Sequence, residues 1–268
     1  MTALSEIVTA PRDRLSGARA LHWILAGALG LACVASLQVG ATEVTLSAML
    51  SKLVQGEALS QIEQVVLFEI RLPRLAMGVL VGAALAVSGA TMQGLFRNPL
   101  ADPGLVGVGA GAGLGAILAI VLGALLPVWA IDLAGNQLTP VAAFLGGWGS
   151  TLLLYRVSTR HGRTSVATML LAGIALGALA GALSGILVYI ADDRQLRDLT
   201  FWGLGSLAGA SWAKVLSAGP LILISIGAAL MVGRGLNGLA LGEATAAHIG
   251  IDVQRLKSAA ILAVAGAT

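Results

Sequence analysis

Long apolar runs alternate with short polar segments along the chain. A helix needs about 20 apolar residues to cross the hydrocarbon core of a bilayer, and six runs come close to this length. They are Leu21–Leu37, Leu75–Phe96, Leu105–Val128, Leu138–Tyr155, Val166–Ile190 and Trp212–Val232. A seventh begins near Ser258, and the given sequence ends inside it at Thr268. The pattern predicts an all-α fold, a polytopic transmembrane helical bundle with about seven spans.

The composition indicates that lipid is the solvent of this fold. Hydrophobic residues make up 57% of the chain and charged residues only 11%, against about 25% charged residues in a typical soluble domain. The net charge of +3 is small and the basic residues are scattered between apolar blocks, which argues against nucleic acid as a partner. The single cysteine, Cys33, provides neither a disulfide framework nor a C-x-x-C metal pair. We therefore expect membrane lipid as a partner, and no metal and no cofactor.

The first apolar run has a second interpretation as a removable signal peptide. Arg12, Arg14 and Arg19 precede it, and Val39-Gly40-Ala41 has the small residues of a cleavage site. The run is long for a signal peptide and further spans follow it, which favours a retained transmembrane helix.

The distribution of Lys and Arg predicts the orientation, because cytoplasmic loops carry an excess of these residues. With the N-terminus inside, ten fall in inner segments and six in outer segments. The inner set is Arg12, Arg14, Arg19, Arg97, Arg156, Arg160, Arg163, Arg234, Arg255 and Lys257, and the outer set is Lys52, Arg71, Arg74, Arg194, Arg197 and Lys214. The count predicts a cytoplasmic N-terminus.

Two arginines stand at the predicted outer mouth of the second span. Arg71 and Arg74 flank Pro73, a residue that suits the first turn of a helix because no amide donor is lost there. We expect the pair to project from this fixed point. Long basic side chains at such a place either extend to lipid phosphates or form a docking site for an acidic partner outside the membrane.

The outer segment between the first two spans has the periodicity of a short amphipathic helix. Leu46, Met49, Leu50, Leu53 and Val54 fall on one helical face. This helix either packs against the bundle, which we favour, or lies along the membrane surface.

Glycines recur at every fourth position in three of the spans. The fifth contains Gly173, Gly177, Gly181 and Gly185, the third contains Gly107, Gly111 and Gly115, and the second contains Gly78 and Gly82. Small residues at this spacing allow helix backbones to approach closely in lipid. The repeat is consistent with tight packing alone and with a helix that lines a path.

No catalytic constellation is visible in the sequence. No Asp, Glu, Lys or Arg lies at the centre of a span, where ion-coupled carriers often keep ionisable groups. The chain has no G-x-x-x-x-G-K-[ST] phosphate loop, and His22, His161 and His248 are far apart in sequence. We expect a chain that is not an enzyme, and energy for any driven transport must come from another chain.

The inner segment before the seventh span has the features of an ordered helical elbow. Leu239–His248 is predicted to be a short helix, with Glu243 and His248 at the ends that the helix dipole favours. Gly250 is suited to ending it, and Asp252 to capping the next helix. This elbow is either a contact for a soluble partner or a simple connector.

Four features of the sequence together resemble one family. They are RLPR, the glycine-rich span, SGATMQGLFRNPLADPGLVGVGAGAG and LALGEATAAHIGIDV, and the resemblance runs from about residue 20 to the end. The chain is similar to the permease subunits of bacterial ABC importers for iron-siderophores, haem and vitamin B12, the FecCD or type II class. The resemblance implies two permeases in a homodimer, ten spanning helices in each, two ATP-binding ABC subunits and a periplasmic substrate-binding protein.

The resemblance also implies roles for particular residues. Arg71 and Arg74 would pair with acidic residues of the binding protein, and the fifth span would line the translocation path through Gly173, Gly177, Gly181 and Gly185. The segment Leu239–Ile251 would seat in the ATPase, with the coupling residues Leu239, Leu241, Gly242, Glu243, Ala246, His248, Ile249 and Gly250.

Within this family the segment ADDRQLRDLTFWGLGSLAGASW is most similar to the haem importers. The resemblance therefore implies a multi-pass permease of the bacterial inner membrane for an iron-containing chelate, with haem as the leading cargo. Ferric siderophores and vitamin B12 remain alternatives, and an ion-coupled secondary transporter is a more distant one. The family's GxIGFVGLxxPH segment and three further helices are absent, so we interpret residues 1–268 as one permease domain truncated within the seventh span.

Overall fold

The computed structural model describes residues 14–40, 42, 44–160 and 163–268, and these residues are almost entirely helical. The α-helices in chain order are α1 (Arg14–Gln38), α2 (Leu46–Val54), α3 (Gln61–Gln64), α4 (Leu72–Phe96), α5 (Val108–Leu122), α6 (Val128–Ala134), α7 (Leu138–Ser158), α8 (Val166–Ile190), α9 (Asp193–Leu204), α10 (Trp212–Ala240), α11 (Glu243–His248) and α12 (Val253–Ala267). A π-helical segment covers Val65–Arg71, and 3-10 turns cover Pro103–Val106, Gly123–Leu125 and Gly135–Gln137. Two short antiparallel strands, β1 (Thr159–Arg160) and β2 (Arg163–Thr164), pair Thr159 with Thr164. Arg12, Ala41 and His161 lie outside the described residues.

Six helical segments of the described chain are long and apolar enough to cross a membrane. They are Gly17–Gln38, Gln61–Phe96, Val108–Leu125, Leu138–Ser158, Val166–Ile190 and Trp212–Ala240, and each overlaps one of the six complete runs in the sequence. The predicted all-α transmembrane bundle is therefore confirmed. The last helix, α12, begins at Val253 rather than near Ser258, because the Asp252 carboxylate accepts the amide of Arg255 and caps it there.

The second span begins much earlier than the predicted Leu75, and Pro73 is not in the first turn of its helix. A continuous helix runs from Gln61 through the π-helical segment into α4. Proline cannot donate an amide hydrogen, and its ring collides with the carbonyl of the preceding turn. The wider π-helical turn before Pro73, in which Leu72 donates to the carbonyl oxygen of Leu67, gives the ring room, so the helix continues.

The structure divides into two compact units, Met1–Leu75 and Ala76–Thr268. In the first unit, α2 forms where the amphipathic pattern predicts it and is capped by the Thr45 hydroxyl. Met49 is buried and Leu46 half-buried, whereas Leu50, Leu53 and Val54 are exposed, so the predicted apolar face is covered only in part within the described residues. Lys52 on α2 forms an ion pair of 2.8 Å with Glu63 on α3.

The core of the second unit lies where α4, α7, α8, α10 and α12 converge. Its fully buried side chains include Met92, Leu154, Met169, Leu239 and Val264, one from each of these helices. Apolar packing of this kind fixes the positions of the polar residues at the end of the bundle where α10, α11 and α12 meet.

Candidate functional site

Arg71 is buried inside the first unit and does not project outward as the sequence predicted. The residue is only 6% exposed, and its guanidinium donates to the carbonyl oxygens of Leu37 and of Val44, the latter at 2.8 Å. Leu37 lies in the last turn of α1, where carbonyl oxygens have no partner within the helix. Arg71 therefore closes the end of α1 and anchors the following segment, because the planar guanidinium can donate in several directions at once.

Arg74, by contrast, is exposed. It follows Arg71 by three positions, so the two side chains leave neighbouring positions of one continuous helix. The predicted docking pair is thus divided into one residue that stabilises the first unit and one that reaches its surface.

The glycines of α8 do not all have the same environment. A Cβ atom at Gly173 would overlap the carbonyl oxygen of Leu105, and one at Gly177 would just touch Ala110 at 4.0 Å. No heavy atom of the described chain lies within 4 Å of the Cβ positions of Gly181 and Gly185. Gly173 and Gly177 therefore pack against other parts of this chain, whereas Gly181 and Gly185 lie on an open surface of α8.

The elbow is shorter than the predicted helix Leu239–His248. Helix α10 continues past the predicted end of the sixth span at Val232 and reaches Ala240, so the buried Leu239 belongs to the last turn of α10. The helix runs through Gly238, and the chain turns only at Gly242, whose φ of +108° is unfavourable for other residues. Helix α11 then covers Glu243–His248, with Glu243 in its first turn and His248 in its last, as predicted.

The end of α11 has the geometry that the sequence predicted for Gly250. Its φ is +88°, and the amides of Gly250 and Ile251 donate to the carbonyl oxygens of Ala247 and Ala246, the double hydrogen bond of a Schellman ending. Ala246 is buried, which fixes α11 to the rest of the second unit. Leu241 and Ile249 on either side of α11 are exposed, so the elbow presents apolar side chains at both of its ends.

A polar cluster under the elbow was missed by the sequence analysis. The ammonium of Lys257 donates to the Glu243 carboxylate and to the carbonyl oxygen of Thr164, both at 2.8 Å. In the sequence, Lys257 is distinguished only as one of the inner basic residues. No local pattern could have indicated its partners, because Thr164 is 93 residues away in the chain.

None of these places is built to hold a metal ion. Within the described residues, no three His, Cys, Asp or Glu side chains come close enough together to ligate one. The surface features that the described residues do present are an exposed basic residue, an open glycine surface and an ordered elbow with apolar side chains at its ends.

The comparison with protein families agrees with the motifs. A family model described as the FecCD transport family matches residues 28–268, which confirms the resemblance seen in the sequence. The hemin transport system permease protein HmuU of Yersinia pestis is 46% identical over 188 residues, or 70% of this chain and 55% of that protein. The cobalamin import system permease protein BtuC of Halobacterium salinarum is 40% identical over 194 residues, or 72% of this chain and 50% of that protein. The chain spans about half the length of these curated relatives.

The fold has also been seen in a solved structure. A structure described as an inward-facing conformation of a transporter assigned to the metal-chelate type of ABC transporter aligns with a TM-score of 0.75 at 29% identity. The alignment covers 93% of this chain and 73% of that one. The similarity therefore includes nearly all of the helices described above.

Proposed function

Because the chain belongs to the FecCD transport family, we propose that it is the membrane permease subunit of an ATP-driven ABC importer for an iron-containing chelate. The observation that carries the proposal is the family match over residues 28–268, which includes five complete spans and the elbow. Haem is the leading cargo, because the haem permease has the higher identity of the two relatives described. A ferric siderophore or vitamin B12 is the alternative, and the cobalamin permease supports the latter.

In the proposed assembly the chain is a transporter subunit and has no catalytic activity of its own. ATP would be hydrolysed by a separate ATP-binding subunit, in keeping with a sequence that has no phosphate-binding loop. A periplasmic binding protein would deliver the cargo, and two copies of the permease would form a homodimer in the bacterial inner membrane. The count of basic residues supports a cytoplasmic N-terminus.

The elbow is the proposed contact for the ATPase. Leu241 and Ile249 are large apolar side chains exposed at its two ends, and buried apolar anchors contribute most of the binding energy in protein interfaces. Gly242 and Gly250 set the turns on either side of α11. Of the predicted coupling residues, Leu239 and Ala246 face the interior of the second unit, so we assign them to the support of this contact.

The outer contact and the path are proposed in the same way. Arg74 is the residue that we assign to docking of the binding protein, because it is exposed where Arg71 is buried. Gly181 and Gly185 are the part of α8 that we assign to the homodimer surface and the translocation path, because their faces are open within the described chain. Gly173 and Gly177 support this part of the helix from inside the unit.

Growth on a defined iron source tests the cargo. A strain without this gene is grown with haem as its only iron source, with and without the gene restored at full length. Rescue by the full-length gene supports haem import, and growth that does not respond to the gene contradicts it. The same strains are then compared on ferric siderophores and for use of cobalamin, which identifies the alternative cargo.

Reconstitution tests the energy source. Full-length permease and its ATPase are placed in liposomes with the binding protein, and uptake of labelled haem is followed. We expect uptake to require ATP and to persist when an uncoupler collapses ion gradients. Uptake that stops with the uncoupler and needs no ATP would identify an ion-coupled secondary transporter and overturn the proposal.

A further inference from the structure

Lys257 is the most deeply buried charged side chain in the described part of the chain. The residue as a whole is 0% exposed, and its ammonium binds one acceptor on α11 and one on β2. Burial of an ammonium is costly unless its hydrogen bonds are made and its charge is paired. Lys257, which lies on α12, thus joins the neighbouring helix α11 and the sequence-distant strand β2 at one point.

The hairpin is fixed to α12 by more than the lysine. The amide of Thr164 donates to the side-chain oxygen of Gln254 at 2.9 Å, so α12 binds both main-chain polar groups of this residue. Thr164 is itself buried and its hydroxyl lies 2.9 Å from that of Thr159 across the two strands. The segment that connects α7 to α8 is therefore attached to α12 by two residues one turn apart, Gln254 and Lys257.

The ion pair that joins Lys257 to the elbow differs from the hydrogen bonds to the hairpin, because its carboxylate partner, Glu243, is partly exposed to water. The Glu243 side chain is 45% exposed whereas the Lys257 side chain is 1% exposed. A carboxylate that is half in water can be hydrated when the pair opens, but the ammonium has no such alternative. The elbow is thus held by an ion pair whose glutamate can be hydrated, while the hairpin is held by the buried Lys257–Thr164 hydrogen bond and the partly buried Gln254–Thr164 hydrogen bond.

We propose that Lys257 is a positioning residue that couples the elbow helix α11 to the hairpin between α7 and α8. A displacement of α11 is transmitted through the Glu243–Lys257 pair to Thr164 and from there to the start of α8. An apolar residue in place of Lys257 would fill the same space without the cost of a buried charge, so the charge serves the link rather than the core. The functional consequence of this link rests on the proposed function, in which the ATPase moves the elbow.

A distance measurement tests the link without any reference to transport. Spin labels are attached to cysteines at the exposed positions Ala247 on α11 and Arg160 on β1, in full-length permease with Cys33→Ala. The unsubstituted Lys257 protein is expected to give one narrow distance distribution. Lys257→Met is expected to broaden this distance distribution. Lys257→Arg keeps hydrogen-bond donors and the charge, so its distribution is expected to be nearly as narrow as that of the unsubstituted protein.

A matched control comes from the same helix. Arg255 is 90% exposed and pairs with Asp252 at 3.0 Å, so Arg255→Met removes an equal charge from α12 without touching the cluster and is expected to leave the distribution narrow. Glu243→Gln gives a second test in case Lys257→Met does not fold, because it removes only the charge of the exposed partner. Distributions that stay narrow in both Lys257→Met and Glu243→Gln would overturn the link.

Transport measurements then separate the link from the proposed function. Couplings between sites change an equilibrium by about 5- to 150-fold, so in Lys257→Met we expect haem uptake per ATP hydrolysed to fall by about tenfold while binding of the ATPase persists. Unchanged uptake per ATP would contradict the coupling role even if the labels respond. If the unsubstituted complex transports nothing with ATP but the labels respond as expected, the proposed function is wrong and the link stands.

Discussion

The carbonyl oxygen of Gly146 lies so close to Gly111 that it would overlap a Cβ atom there, so helices α5 and α7 are in direct backbone contact. Gly115 repeats the contact one turn further along α5, against the carbonyl oxygen of Ala142. Close approach of this kind gains dispersion energy over a long surface, which matters in lipid because burial of apolar groups provides no driving force there. The two helices are therefore closely packed along their length within the second unit.

This contact predicts that alanine substitution destabilises the protein at Gly111 but not at Gly113. Gly111→Ala is expected to lower the free energy of unfolding by about 1–3 kcal/mol, the usual cost of overpacking, because backbone cannot move aside as a flexible side chain can. Gly113→Ala is the control, since no heavy atom of the described chain lies within 4 Å of its Cβ position, and stability is expected to be unchanged or slightly raised. Thermal unfolding of the full-length protein in detergent measures both, and equal losses at the two positions would contradict the close contact.

The glycine repeats show how far the sequence could predict the fold and where it could not. Spacing of four residues places glycines on one face of a helix, and this is a local property, so close helix contacts could be predicted. What packs opposite each glycine depends on residues that are distant in sequence, so spacing alone could not predict it. Gly111 and Gly115 meet backbone, Gly173 meets the carbonyl oxygen of Leu105, and Gly181 meets nothing within the described residues, although all belong to the same kind of repeat.

A second prediction separates the two ends of the α8 repeat. Gly173→Leu is expected to prevent correct folding, because its side chain would enter the space of the Leu105 carbonyl group. Gly181→Leu is expected to leave the monomer folded but to weaken the homodimer and reduce uptake, because its face is open within the chain. Circular dichroism and light scattering on the purified full-length variants report folding and mass. A Gly181→Leu protein that is still dimeric and transports normally would show that this glycine belongs neither to the interface nor to the path.

Arg71 provides a third prediction. Arg71→Ala removes the donors to the Leu37 and Val44 carbonyl oxygens, and we expect a loss of about 2 kcal/mol in stability, since a charged donor is lost and partly buried acceptors become unpaired. Arg71→Lys is expected to recover only part of the loss, because an ammonium cannot reach acceptors in several directions as a guanidinium does. Unfolding midpoints of the three proteins in detergent give the comparison. Full recovery by lysine would show that the charge alone matters.

The hydrogen bonds of Arg71 and Lys257 explain why the site was only partly predictable. Helix starts and stops depend on nearby residues, and the caps at Asp252 and Gly250 were found from the sequence for that reason. Arg71 reaches acceptors 27 and 34 residues back, and Lys257 reaches one 93 residues back. A basic residue beside an apolar run has the same local pattern whether it faces lipid, a partner or the interior. Only the tertiary structure distinguishes Arg71 from Arg74.

The fourth prediction concerns docking at Arg74. If this exposed arginine attracts an acidic surface of the binding protein, Arg74→Glu is expected to weaken binding chiefly through slower association, because charges at the rim of an interface act on the encounter. The defect is expected to be large at low ionic strength and to shrink near 1 M salt, where the Debye length is about 3 Å. Binding of the cargo-loaded binding protein to full-length permease in nanodiscs, measured over a salt series, provides the test.

Lys214, which the charge count also places outside, supplies a control variant, Lys214→Glu, that changes the net charge equally. If the two variants lose the same affinity, the effect is one of net charge and Arg74 has no particular part in docking. A loss confined to Arg74→Glu supports a specific contact there.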